Sequence, residues 1–487
     1  VTTEERFHGD VPIRTAEEAA ELVPEDAVVA TSGFGSVGYP KAVPEAIAAA
    51  GERRGLTILT GGSVGEEIDT ALVESGDLVR RFPYLGTPAV REAANDGRVA
   101  FHDRHVSQLG DEVRFGGAVD GVDVAIVEAV AVGEDWFIPS PSIGATVSYV
   151  AAADELIVEV NRKQPLDLER LHDIYLPGAP PDREPIPLSE PGGRIGDPKV
   201  RFDPDDLVAV VETDRRDSTY DFREPTEVDL AIGANFGEWL EAEAETNPTM
   251  TESIRLQFGV GAMGNALMRA LGDLDVDREL VYFGEVIQDG LLDLIDEGTL
   301  RTASATTLAL TRDGQDQLFS SMDSYADSVV LRPVCVSNAP ELIGRFGVVA
   351  VNSALEVDIY GHANSTHVNG TRVLNGVGGS GDFNRAGLVT VVALPSTAAG
   401  GDISRIVPMA PHVDHTEQDI DIVVTEHGVA DLRGLGASER ADAIVEVADP
   451  SFRSDLDAYR ERAAEYGGHI PHDLETALEW PLERQQG

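Results

Sequence analysis

A chain of 487 residues with 42% hydrophobic content has material for two or three cored domains. Its 86 acids against 37 bases leave a net charge of −49, which argues against nucleic acid and anionic membranes as partners. Lysine occurs only at positions 41, 163 and 199, and regular apolar strands are present, so the chain reads as a folded protein with an acid-coated surface suited to molar salt, where the Debye length is only ~3 Å.

The single cysteine, Cys335, rules out an internal disulfide and a thiolate metal cluster. It lies in the strand-like run LRPVCVSN and is expected to be a small core residue. The N-terminal residues VTTEERFHGD lack the layout of a secretory leader, and no apolar run reaches ~18 residues. A soluble, cytoplasmic protein is the expectation.

In chain order, AEEAAELV predicts a helix and AVVAT a strand. Glycines 33, 35 and 38 then form a loop before a helix at 43–50. Lys41 sits at that helix start, either solvent-facing or turned to a ligand. LTILTGGSVG (56–65) is another strand and glycine loop, and GVDVAIVEAVAVG (121–133) another buried strand. Strands alternating with helical patterns imply a parallel α/β sheet. Residues 165–225 are rich in Pro, Asp and Arg and read as an excursion and a linker, so the expected domains are 1–225 and 226–487.

The densest stretch is 254–290. Ile254–Phe258 predicts a strand, Gly259-Val-Gly-Ala-Met-Gly264 a tight turn, Asn265–Leu271 a helix and Glu279–Phe283 a second strand. Glu285 falls just past that strand's carboxyl end, where open α/β sheets bind their ligands. The Gly-x-Gly-x-x-Gly pattern with an acid about 20 residues on also fits a dinucleotide site, or a plain turn.

Asn338 follows the next strand, and a helix begins near Pro340. Asn375-Gly-Val-Gly-Gly-Ser-Gly-Asp-Phe383 is either a backbone nest for an anion or oxyanion, or a crowded turn. His412-Val-Asp414-His415-Thr-Glu417 invites a metal, but two histidines in a loop converge poorly without a distant third ligand, and a hydrogen-bonded turn is favoured. Residues 421–434 predict a buried strand ending in Glu426, and 437–467 a helical tail.

Taken together, GVGAMGNAL, FGEVIQDG, VNSALEVDIYGHANSTH, NGVGGSGDF and VVTEHGVADLRG resemble the acetyl-CoA hydrolase/transferase family of class I coenzyme A transferases. GYPKAVPEAIA and SRIVPMAPHVDHTEQD are most similar to its succinyl-CoA:acetate CoA-transferase branch. The resemblance covers most of the chain and is weakest over 165–225.

It implies two tandem open α/β domains with mainly parallel sheets, in a homodimer. It implies Glu285 as nucleophile, and Val260, Gly261, Ala262, Met263 and Gly264 as contacts to coenzyme A. Asn375 and Gly379 would flank the thioester, with the Gly379 amide in the oxyanion hole, and Asn338 and Glu426 would line the site. Coenzyme A would serve as substrate and covalent intermediate, exchanged between an acyl-CoA and a small carboxylate such as succinate, acetate or propionate. No metal or permanently bound cofactor is called for. A hydrolase using the same nucleophile, or a non-catalytic CoA-binding protein, are the alternatives. A dehydrogenase is disfavoured because the downstream glycine nest has no task in one.

One departure stands out. The branch usually has a CoA-contacting lysine after the nest, where this chain reads Ser396-Thr-Ala-Ala399-Gly-Gly-Asp402. Arg255, Arg385 and Arg405 are candidates to compensate.

Overall fold

The computed structural model describes residues 6–218, 223–272, 274 and 278–483. The chain divides into two compact units, Val1–Asp221 with Tyr282–Leu342, and Phe222–Val281 with Ile343–Gly487. The first unit thus takes in a segment from the later part of the sequence.

The first unit is built on a nine-stranded, mainly parallel sheet. Its centre is Val122–Val132, whose residues are buried apart from Asp123. Near-continuous burial is what a strand covered on both faces requires. Val28–Thr31 runs parallel to it with Ala30 opposite Ala125, and Ala153–Asn161 flanks it on the other side with Ile126 opposite Ile157. Trp136–Pro139 folds back antiparallel. Leu300–Ala305 and Val329–Leu331, also in this unit, pair in parallel.

The 165–225 excursion is more ordered than its composition predicts. Leu207–Thr213 is a strand of the main sheet, parallel to Ala153–Asn161. Asp173 and Arg332 form a buried ion pair, and Arg332 also donates to the Pro191 carbonyl at 2.9 Å. Cys335 lies not in a strand but in the helical turn Val334–Ser337. Pro333 has no N–H to continue a sheet ladder, so the strand stops at Leu331. Burial pushes the Cys335 thiol up to about 12.

Lys41 is neither solvent-facing nor ligand-facing. It is 1% exposed, and its ammonium contacts Glu128 at 2.6 Å, Asp217 at 2.8 Å and the Tyr39 carbonyl at 2.9 Å. Burial opposes its charge, but Asp217 and Glu128 outweigh that and hold its pKa above the ordinary range. Glu159 accepts the N–H groups of Lys41, Ala42 and Val43 at 2.8, 3.1 and 2.7 Å. A carboxylate thereby satisfies the otherwise unpaired first turn of helix Ala42–Ala50. Three acids crowd one lysine, and burial pushes the Glu128 carboxyl up to about 7.

In the second unit, Ser253–Phe258, Val349–Asn352, Val389–Ala393 and Ile422–Thr425 pair in parallel in that order. Gly428–Asp431 closes the edge antiparallel. Helix Glu227–Thr246 starts at a Thr226/Asp229 capping box. Its Gly233 lets helix Ala262–Gly272 approach, since a Cβ there would meet the Ala266 carbonyl oxygen at 2.8 Å. The predicted 437–467 tail is two helices, Ala437–Glu446 and Pro450–Ala464, because Pro450 lacks the N–H to continue the first and Asp449 caps the second.

Replacing Lys41 by Met leaves its carboxylates buried without their cation. The loss should be on the order of 3–5 kcal/mol, read as a fall in the denaturant midpoint, while an exposed control such as Arg98→Met should barely move it.

Candidate active site

Glu285 stands two residues beyond strand Glu279–Phe283. Its backbone is fixed by neighbouring strand ends: Gly284 N–H donates to the Ser304 carbonyl at 2.9 Å, and Thr306 N–H to the Glu285 carbonyl at 3.0 Å. Its side chain is partly exposed, and Asn338 Nδ2 donates to Oε1 at 2.9 Å. Asn338 is fully buried and oriented in turn by the Ser337 hydroxyl, which donates to its Oδ1 at 2.8 Å. The two residues singled out in the first unit are thus brought together, 53 positions apart in sequence.

Loops of the same unit surround them. Thr307 donates its hydroxyl to the Phe34 carbonyl at 2.9 Å, tying down the 33–38 glycine loop. Gly144 N–H donates to the Thr306 hydroxyl, and Ile143 N–H to the Thr306 carbonyl, both at 2.9 Å. The strand ends around Glu285 are cross-linked by hydrogen bonds rather than left as open loops.

The remaining candidates belong to the second unit. The turn after Phe258 is tighter than expected: helix Ala262–Gly272 starts at Ala262, so Ala262, Met263 and Gly264 are its first turn. Only Gly259–Gly261 is loop, with Val260 exposed and Gly261 at φ 125°. A left-handed φ of that kind requires glycine. Gly379 caps helix Ser380–Ala386, and Gly378 before it has φ 58°. The first N–H groups of a helix have no intrahelical acceptor. Asn375 Oδ1 is buried without a hydrogen-bond partner among the described residues.

Glu426 follows strand Ile422–Thr425 and is held by Ser396, whose N–H and hydroxyl donate to it at 2.8 and 2.7 Å. Ser396 opens the segment where a lysine was expected. Of the candidate arginines, Arg405 is committed to the backbone, donating to the Leu355 carbonyl at 2.7 Å and to that of Ala354. Arg385 lies half-exposed on the helix after the nest. Arg255 is partly exposed on strand Ser253–Phe258.

A ladder of buried amides went unread in the sequence. Gln257 and Asn352 pair reciprocally at 3.2 and 3.3 Å, and Asn352 Nδ2 donates to Asn384 Oδ1 at 2.8 Å. It links the strand end before Gly259 to the helix after Gly379. The available signal was an amide closing an otherwise apolar strand pattern, as in RLQF and VAVN.

The HVDHTE motif does not converge on one point. His412 contacts Asp414 at 3.1 Å and packs at a tilt against His367 with ring centroids 3.9 Å apart. Glu417 turns to His362 at 2.8 Å. Among the described residues no group of three or more His, Cys, Asp or Glu is placed to hold a metal.

With this geometry in place, comparison with known proteins is direct. Residues 11–214 match the acetyl-CoA hydrolase/transferase N-terminal domain and 314–460 its C-terminal domain. A succinyl-CoA:acetate CoA-transferase from Clostridium kluyveri is 41% identical over 96% of this chain and 88% of its own length. An acetyl-CoA hydrolase from Eremothecium gossypii is 40% identical over 96% and 93%. The crystal structure of RipA from Yersinia pestis, 22% identical, superposes with a TM-score of 0.71 over 94% of this chain and 97% of its own, which bears on the fold alone. The chain belongs to the acetyl-CoA hydrolase/transferase family, and it is an enzyme of that acyl-CoA-using class.

His362 bridges Asp358 and Glu417 at 2.9 and 2.8 Å. The Asp358 hydrogen bond, assisted by the charges of Asp358 and Glu417, raises its pKa against burial. Its folded pKa therefore exceeds the unfolded value of about 6.5. Its contribution is full below that value and is lost as pH rises through the folded pKa. The stability gap between wild type and His362→Gln should shrink across that rise; a gap that grows with pH would contradict the assignment.

Proposed function

We propose that the protein transfers coenzyme A between an acyl-CoA and a small carboxylic acid, of the succinyl-CoA/acetate or propionate type, with Glu285 as nucleophile. The observation that carries this is a partly exposed carboxylate at a strand end, gripped by a buried asparagine, in a chain of this family. A carboxylate is a weak nucleophile, but a thioester carbonyl is within its range. Glu285 attacks the acyl-CoA carbonyl, forming a mixed anhydride and expelling CoA thiolate. The thiolate attacks the glutamyl carbonyl, leaving a glutamyl-CoA thioester and the free acid. The acceptor carboxylate attacks that thioester, and the released thiolate takes the new acyl group, restoring Glu285.

Each step passes through a tetrahedral oxyanion. In this reading the Gly379 amide supplies one donor, typically worth ~3–4 kcal/mol. Asn338 holds the carboxylate in line, and Val260 to Gly264 contact coenzyme A. Asn375, whose Oδ1 is buried without a protein partner among the described residues, flanks the thioester with Gly379, and Glu426 lines the site. Arg385 and Arg255 take over from the missing lysine toward the phosphates. We further propose domains at 1–225 and 226–487, a homodimer, and a cytoplasmic, high-salt setting. The acid-rich composition supports the last of these; among the described residues no helix is long and apolar enough to cross a membrane.

The identities to a transferase and a hydrolase are nearly equal, so hydrolysis is the second reading. It differs only in water replacing the acceptor acid. Incubation with succinyl-CoA in high salt, without acceptor, should add a CoA-sized mass at the Glu285 peptide. Acetate should discharge it as acetyl-CoA. Glu285→Ala should form no adduct, and Asn338→Ala should form it at least ~10-fold more slowly, in line with a lost hydrogen bond to a charged group. Consumption of succinyl-CoA by wild type without adduct or acetyl-CoA would favour the hydrolase.

A further inference from the structure

The His412–Glu417 motif is adjacent to the glycine nest, and its hydrogen bonds have a direction. His415 is 1% exposed. Its backbone pairs with Ala363, the Ala363 N–H donating to the His415 carbonyl at 2.9 Å and the His415 N–H to the Ala363 carbonyl at 3.1 Å. That pairing places its ring beside Ser365 and Ser380. Nε2 lies 3.2 Å from the Ser380 hydroxyl and 3.4 Å from that of Ser365.

Both hydroxyl protons are already committed. Ser380 donates to the Val377 carbonyl at 2.7 Å, and Ser365 donates to Asp414 Oδ2 at 3.2 Å. A hydroxyl carries one donor. With those protons so placed, each oxygen is left to accept from the imidazole, which assigns the hydrogen to Nε2. Asp414 supports the arrangement from below. It accepts the Ser365 N–H at 2.6 Å and the Thr366 hydroxyl at 2.9 Å. Burial opposes its ionisation, but these donors and the nearby His412 and His415 hold its pKa below the usual carboxylate range.

Ser380 is the first residue of the helix that Gly379 caps, and Val377 lies inside the nest. The chain His415 Nε2–H to Ser380 Oγ to Val377 carbonyl closes the Asn375–Gly379 turn on itself. We propose that His415 is a positioning residue that fixes this turn, and with it the direction of the Gly379 amide. The role in turnover rests on the transfer reading above; the brace itself does not.

The test uses the full chain in high salt with His415→Ala, His415→Gln and Ser380→Ala. Glutamine returns an N–H near the position of Nε2, and Ser380→Ala removes both its acceptor and the donor to the Val377 carbonyl. Amide exchange over 375–386 should quicken in His415→Ala and Ser380→Ala and return toward wild type in His415→Gln. With succinyl-CoA and acetate, kcat should fall about tenfold or more in the first two, a fraction of the 10²–10³ for losing an oxyanion donor outright. KM for succinyl-CoA should stay within about twofold, and His415→Gln should recover most of kcat.

Unchanged exchange in both disrupting variants would overturn the proposal. So would a kcat loss that merely follows the folded fraction, without rescue by glutamine. A wild type that forms no adduct at Glu285 would reject the transfer reading instead, and the exchange data would still decide the brace.

Discussion

A charged group buried in a protein must bring its counter-charges with it, and Lys41 sets that condition for the first unit. Removing an ammonium from water costs several kcal/mol. Here the cost is offset by Glu128 and Asp217 at under 3 Å. Glu128 and Glu159 sit at interior positions of the two central strands, where an unpaired acid would be untenable. The glycine loop is therefore anchored at its Lys41 end, and the Ser32 hydroxyl closes it onto the Gly38 carbonyl. From the loop a short path of hydrogen bonds runs through the Phe34 carbonyl, Thr307 and Thr306 to the backbone of Glu285. This network fixes the backbone beneath the Glu285 carboxylate.

The second unit solves the same problem with neutral groups. Near its parallel strand ends Gln257 pairs with Asn352, and the Glu426 carboxylate is matched by the neutral donors of Ser396 rather than left to water. The amide ladder and the imidazole–hydroxyl brace meet the helix after Gly379 through Asn384 and Ser380. In the proposed reading the Gly379 amide meets a developing oxyanion and cannot reorganise at the moment of reaction. Satisfied polar networks give that rigidity, whereas apolar packing alone leaves a glycine-rich turn several conformations.

The charge distribution follows a consistent logic. Bases are scarce, yet Lys41, Arg81 and Arg332 are fully buried beside Glu128, Asp69 and Asp173. Surface acids repel one another at low ionic strength and are screened within ~3 Å at 1 M salt. The interior pairs lie beyond that screening, so the fold's own electrostatics is insulated from changes in the salt around it.

Periodicity and glycine placement were enough to read the α/β class, the strands at 27–31, 121–133, 254–258 and 279–283 to within a residue or two, and the position of Glu285 past a strand end. These are local properties, set by side-chain alternation and by backbone angles that only glycine adopts freely. Five ordered motifs carried the family, which the comparisons then bore out. The pairings were not legible. Lys41 looked like a helix start because its partners lie 87 and more residues away. The 207–213 strand was hidden behind a Pro-rich run, and HVDHTE, read as a hydrogen-bonded turn, gave no sign of which neighbours its members turn to. Asn338 gripping Glu285, Ser396 holding Glu426 and His415 bracing Ser380 depend on which strand ends lie side by side. Sequence spacing does not encode that; the hydrogen-bonding demand of each buried polar group does, and it can be met only once the chain has folded.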